Sequence, residues 1–473
     1  MTHTQHVVSP APETQPHRAG LGLPQATALI VGSIIGVGIF NLPASLAEYG
    51  PVSIWGMVLT TVGALALAFM FAVMSRRLPA DGGPYAYARV AFGNPTGFAN
   101  AWSYWITAWA GNAAIVVGWV FYVQYVLAVW FPDLAYEKWI GFALGVVGLW
   151  LPALVNLSGV KNMGSVQVWT SIIKFVPLAL MSTVGLLAIN TDNFTPFNAS
   201  TSTNTQAILG AMALCLFSYL GVETASVAAA KVRDPDRNVP KATIYGTLAT
   251  AVVYLLSLIA VFGSVPTSAL GESSAPYSTA ADAMVGGGTW AGYVVAGCVI
   301  VSGLGALNGW TMICAEMPLA AAKDGLFPGL FGRLSGHGVP ASGIVLSTVF
   351  ATVAMAASFA GAAGQDVFTT LLYMSGITAA IPYAFSAAAQ IKWRIADKRA
   401  MNGQRFARDV LIAAVAMVFC ALFIWYSRNT GAETWLGQWM PFIMAGVAFL
   451  VGIPVYLAQK AHMSQPDPVP VYR

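Results

Sequence analysis

The chain has 473 residues, 57% of them hydrophobic and only 8% charged, with a formal net charge of +4. An average soluble domain carries about 25% charged residues, so this composition excludes a soluble globular protein and points to a polytopic membrane protein. The basic residues are scattered over short hydrophilic breaks, which excludes a nucleic-acid footprint.

Residues 1–20 are polar, hold three prolines and predict a disordered tail rather than a signal peptide. A bilayer core about 30 Å thick needs about 20 apolar residues per helix. Apolar runs of that kind lie at 22–48, 52–75, 97–129, 139–157, 165–190, 207–230, 241–264, 290–315, 340–360, 367–391, 409–427 and 436–458. Twelve such runs predict twelve membrane-spanning helices, numbered here as spans 1–12. They are too long and too uniformly apolar for β-barrel strands. The third exceeds what a span needs, so it tilts or projects from the bilayer. An even number of spans puts both termini on one face. Nineteen of the 22 Lys and Arg residues fall on that face, only Lys138 and Arg428 on the other, and Lys174 within a span. That bias predicts cytoplasmic termini.

Span 1 reads Val31-Gly32-Ser33-Ile34-Ile35-Gly36-Val37-Gly38-Ile39-Phe40. Glycine weakens a helix by about 1 kcal/mol relative to alanine, so this run predicts an interruption. Span 6 has a matching one in Phe217-Ser218-Tyr219-Leu220-Gly221-Val222-Glu223-Thr224. Glycine also serves close helix packing, which would explain either run alone. Spans 1 and 6 are, however, equivalent members of two five-span halves. Interruptions at matching positions point to an inverted-repeat transporter and its binding site. Freed N–H groups and a positive dipole end suit a carboxylate there, and freed carbonyls suit an ammonium. Together they suit an α-amino acid.

Charged residues inside spans are expensive and mark function by default. Lys174 in span 5 is a candidate proton carrier, a fixed cation where other transporters hold sodium, or one partner of an ion pair joining spans 1, 5 and 8. Glu223, beside the second interruption, attracts a cation, gates the path or carries a proton; the alternative is a structural hydrogen bond to a neighbouring span. In span 3 the small residues Thr107, Ala108 and Gly111 admit close backbones, and Asn112 offers a polar group to a guanidinium or amine. Trp310 sits among small and polar residues, where it either packs or stacks on a cation. All four cysteines (Cys215, Cys298, Cys314 and Cys420) fall in apolar runs, and the five histidines fall in tails or loops. The sequence has no metal-ligand spacing and no phosphate loop, so no cofactor and no direct ATP coupling is expected.

These motifs resemble the amino acid–polyamine–organocation superfamily, and most nearly its basic amino acid/polyamine antiporters. Besides the span 1 and span 6 runs, the likeness rests on Gly82-Gly83-Pro84-Tyr85-Ala86-Tyr87-Ala88, Asp234-Pro235-Asp236-Arg237-Asn238-Val239-Pro240, Gly309-Trp310 and Ala321-Ala322-Lys323-Asp324-Gly325-Leu326-Phe327-Pro328. The resemblance implies an all-α fold with two inverted five-helix repeats over 21–395, two peripheral spans over 396–460 and a tail at 461–473, often as a homodimer. It implies that Ile34, Val37 and Gly38 take the substrate carboxylate. Thr107, Ala108 and Asn112 would meet the distal cation, Phe217 and Leu220 would cover the aliphatic part, and Ser375 would be a binding serine. Trp310 would be a middle gate with Phe217 above it. Tyr104, Glu223 and Tyr383 would form an inner gate, and Tyr85 would line the cytoplasmic exit. Three departures separate the chain from arginine/agmatine exchangers: Val37 stands for a serine, Phe217 for a tryptophan and Ser33 for an asparagine. Lys174 resembles the arginine/ornithine branch and some proton-coupled symporters.

The expected activity is exchange of a basic amino acid (arginine, lysine or ornithine) for a related amino acid or amine across the cytoplasmic membrane. The alternatives are a proton-coupled symporter using Lys174, and an amino acid-binding membrane receptor that moves nothing. The expected partners are small solutes, protons and lipid, and an enzyme is not expected.

Overall fold

The computed structural model describes residues 21–78, 82–227, 229, 232–361, 364–397, 402–428, 434–464 and 466. The predicted tail at 1–20 and most of that at 461–473 lie outside them. Among the described residues the chain is helical, with one isolated bridge between Leu21 and Val232.

Helices α1 (Leu23–Ile34) and α2 (Gly38–Leu46) lie end to end, followed by α3 (Ser53–Arg77), the short α4 (Pro84–Phe92) and the 34-residue α5 (Asn94–Leu127). A one-turn α6 (Pro132–Ala135) leads to α7 (Lys138–Leu157) and α8 (Val160–Leu187). Next come α9 (Asn204–Cys215), the four-residue α10 (Thr224–Val227) and α11 (Pro235–Ser264). Two short helices, α12 (Thr267–Glu272) and α13 (Pro276–Met284), precede α14 (Trp290–Lys323). Then follow α15 (Ala341–Gly361), α16 (Gly364–Asp397), α17 (Gly403–Tyr426) and α18 (Trp435–Gln459). Among the described residues ten helical segments, with Leu23–Leu46 taken as one, are long and apolar enough to cross a membrane; Ala341–Ala356 is a shorter apolar helix.

The long α5 lies at the centre, packed on α14 and α16, while α1 packs on α11, α8 and α14. Tyr104, Thr107, Ala108, Gly111 and Asn112 of α5 are all buried. By contrast α17 and α18 expose Leu411, Val418, Trp435, Leu450 and Leu457. A contiguous apolar surface of this kind suits lipid, not water.

The helices outrun the apolar windows at one end. The run ending at 391 extends to Asp397, and the run ending at 315 extends to Lys323. The added turns are charged but neutralised. Arg77 of α3 pairs with Asp397, and Arg394 Nε lies 3.0 Å from an Asp409 carboxylate oxygen of α17. All four side chains are at most 6% exposed. Buried charges of this sort persist only when paired, and hydropathy alone cannot see the pairing.

One close approach joins the two places where the helices stop. Gly221 has φ +111°, and a Cβ there would stand 2.9 Å from the carbonyl carbon of Ser33. Gly221→Ala therefore meets both backbone strain, about 1–3 kcal/mol, and a clash with α1. The expected outcome is a clearly lower Tm in detergent, checked by differential scanning fluorimetry against the parent chain.

Candidate functional site

The first helix stops because Ile35 takes extended backbone (φ −75°, ψ 93°), and Gly36 and Gly38 follow it. Stopping a helix in the interior strands its last carbonyls, and each needs a donor. Three side chains from three other helices supply them. The Lys174 ammonium of α8 donates to the Gly32 carbonyl. Trp310 Nε1 of α14 donates to the Ser33 carbonyl at 3.1 Å. The Tyr254 hydroxyl of α11 donates to the Ile34 carbonyl at 2.9 Å. The Gly36 N–H also reaches the Ile34 carbonyl, at 2.9 Å.

The second stop lies alongside. A capping box of Thr203 and Gln206 starts α9. The helix then tightens to a 3-10 turn at Leu216–Tyr219, Leu220 goes extended, and Gly221 takes its left-handed turn before α10 begins at Thr224. The Tyr219 hydroxyl lies 2.7 Å from that of Thr61 on α3. Only glycine at 221 lets this segment touch Ser33 and Ile34.

Between the two stops lies a hollow lined by Ser33, Ile34, Gly36, Gly38, Gly111, Ile115, Phe217, Ser218, Leu220, Trp310 and Ser375. Its free volume is about 10 Å³, roughly the room for one water. The walls must therefore part before an amino acid fits. Glu223 is fully buried and accepts a hydrogen bond from the Tyr104 hydroxyl on one oxygen. The Tyr383 hydroxyl also interacts with this carboxylate.

The hollow brings together Ile34, Gly38, Phe217, Leu220, Trp310 and Ser375. It does not take in the other expected binding residues. Val37 turns away: a Cβ on Gly303 or Gly118 would stand 2.6 or 3.3 Å from its methyls. The Thr107 hydroxyl is spent on Thr378 at 2.9 Å, and the Thr107 carbonyl accepts from Ser375 at 2.9 Å. Ala108 is fully buried. Asn112 faces Cys314, at 3.6 Å from its sulfur, with its side-chain oxygen unpartnered. In their place stand Gly111 and Ile115, which continue the α5 face begun by Tyr104 at helical spacing. That spacing was the available signal for them. Tyr85 lies apart, donating to Asp324 at 3.0 Å.

Lys174 is fully buried and its hydrogen bond goes to a carbonyl. Among the described residues no group of His, Cys, Asp and Glu could hold a metal ion. A larger open groove, about 650 Å³, runs past Glu48, Asp192 and Thr267 and shares no lining residue with the hollow.

A chain that is helical over its described residues, with ten helices long and apolar enough to cross a membrane among them and a hollow between two helix stops, is a multi-pass membrane protein of the solute-transporting kind. The chain belongs to the amino acid permease family, whose model matches residues 21–457. It is 29% identical over 455 residues to the cadaverine/lysine antiporter of Escherichia coli (strain K12), covering 94% of this chain and 96% of that protein. It is 30% identical over 461 residues to the arginine/ornithine antiporter of Pseudomonas aeruginosa, covering 94% and 92%. It is 31% identical over 376 residues to the putrescine transporter PotE of Escherichia coli (strain K12), covering 78% and 83%.

Two substitutions separate the roles of the carbonyl donors. Trp310→Phe leaves the Ser33 carbonyl unpaired, which costs about 1–3 kcal/mol when the group is buried. Tyr254→Phe leaves the Ile34 carbonyl with its Gly36 partner and costs less. Thermal melts of both purified variants in detergent check the order.

Proposed function

We propose that this protein exchanges a basic amino acid, arginine, lysine or ornithine, for a related amino acid or amine across the cytoplasmic membrane by alternating access. In this reading the helices form twelve spans, two inverted five-helix repeats with spans 1 and 6 interrupted and two peripheral spans. Both termini are cytoplasmic. The single observation that carries the proposal is the meeting of the two helix stops at Ser33 and Gly221, beside a buried carboxylate. The antiporter relatives support the exchange and the class of solute.

The substrate carboxylate sits on the main-chain N–H groups at the start of α2, around Val37 and Gly38. A helix N-terminus favours an anion through its unpaired donors and its dipole. The substrate's alkyl chain lies between Phe217 and Leu220, and its cationic end selects for Glu223 and the ring of Trp310. The Glu223–Tyr104 bond and Tyr383 close the inner side. Exchange needs no covalent chemistry. It needs a site that binds either solute and a barrier to reorientation of the empty carrier, and a collapsed hollow is such a barrier.

Counterflow in proteoliposomes tests the reading. Labelled lysine, arginine or ornithine is expected to enter vesicles preloaded with the same solutes and not empty ones. No uptake of any of the three against such a pool contradicts it. Glu223→Ala and Trp310→Leu are each expected to cut exchange by at least about tenfold, equivalent to about 1.4 kcal/mol; full activity in both removes these residues from the site. A second reading, proton-coupled symport, is favoured by one feature, the buried Lys174 beside the α1 stop. Uptake into empty vesicles driven by a pH gradient, and lost in Lys174→Met, distinguishes it.

A further inference from the structure

The chain leaves α18 at Gln459 and returns to the core. Residues 462–464 lie against the junction of α4 with the end of α14, where Arg89 and Asp324 meet. Arg89 is buried, and its guanidinium reaches four groups. It pairs with Asp324 at 2.6 Å, donates to Asn94 at 3.0 Å, and donates to both the carbonyl and the hydroxyl of Ser464 at 2.8 Å. Asn94 also donates to the Ser464 carbonyl, at 2.9 Å. In return, the Ser464 N–H and hydroxyl both donate to the Asp324 carbonyl, at 3.2 and 3.1 Å. Beside them, Gly325 (φ +75°) is so close that a Cβ there would stand 2.2 Å from the His462 carbonyl oxygen. The backbone at 325 is therefore shaped to admit this returning segment.

We propose that Lys460–Ser464 is a strap that holds the pathway shut on this face of the protein. Tyr85 and Arg89, one turn apart on α4, both grip Asp324. Helix α4 leads directly into α5, which carries Tyr104, and Asp324 ends the helix that carries Trp310. Parting α4 from the end of α14 opens a way toward Glu223. Ser464 binds both sides of that junction at once, so it opposes the parting. Ser464 is itself exposed, its bonds from Asn94 and to Asp324 lie open to water while those from Arg89 are part-buried, and neutral hydrogen bonds exchange for water at small net cost. The strap is thus releasable, unlike the buried Arg77–Asp397 pair. Its effect on flux rests on the exchanger reading; the contact itself does not.

The test compares the full chain with Ser464→Pro, which keeps the length and removes both Ser464 donors, and with a chain ending at Gln459. Hydrogen–deuterium exchange over residues 84–92 reads the contact. Both variants are expected to exchange faster there, with the rest of the helical core unchanged. Equal protection in all three chains overturns the strap, whether or not any of them transports. Lysine counterflow reads the consequence. Release is expected to raise the rate at least about fivefold, the low end of coupling between distinct sites. A rate unchanged or lowered in both variants, with the helical core still protected, overturns the gating role. If no chain moves any basic solute, the exchanger reading fails while the exchange data still decide the contact.

Discussion

A helix that stops inside an apolar protein leaves carbonyls that water cannot reach. The first helix of this chain stops at Ile34, and the rest of the core is organised around the three carbonyls it frees. Lys174, Trp310 and Tyr254 come from α8, α14 and α11 to satisfy Gly32, Ser33 and Ile34 in succession. Each donor fastens a different helix to the same turn. Gly221 then brings the second stop into contact with that turn. The interruption is therefore a joint holding five segments, and a shift in any of them is felt at the hollow.

This arrangement revises how a substrate ammonium would be held. Half-helix carbonyls were expected to suit the ammonium, and at the end of α1 protein donors already bond the carbonyls of Gly32, Ser33 and Ile34. The α2 start remains for an anion. In the proposed exchange the cationic requirement falls on Glu223, which accepts from the Tyr104 hydroxyl, and on the ring of Trp310. Among the described residues Lys174 makes no carboxylate pair; its side-chain nitrogen donates to the Gly32 carbonyl at the end of α1, where the negative pole of the helix dipole favours a positive charge. Its charge state and the integrity of the α1 stop are thereby linked.

Much of this was legible in the sequence. The expected interruptions lie at glycines 32, 36, 38 and 221; α1 ends at Ile34 and α2 begins at Gly38, and Gly221 has the positive φ and the close approach that glycine tolerates. The apolar runs located the long helices to within about eight residues; they missed the short helices α4, α6, α12 and α13 and charged end turns such as the one at Asp397, whose partner Arg77 lies far along the chain. The residues carried over by likeness fared unevenly. Phe217, Leu220, Trp310 and Ser375 line the hollow, while Thr107 and Val37 face neighbouring helices. Which way a side chain turns depends on helix rotation, and rotation is set by packing that no local motif records. The Ser464 contact was invisible for the same reason: it joins residues 375 positions apart.

The claim that the two helix stops form the substrate site has one direct test, a structure determined with saturating lysine bound. Density for the amino acid wedged between residues 34–38 and 217–223, carboxylate against the main-chain N–H groups of Val37 and Gly38 and side-chain amine toward Glu223, is the predicted result. A lysine resting anywhere else, with Ser33 and Gly221 still touching and the space between them still closed, would contradict it.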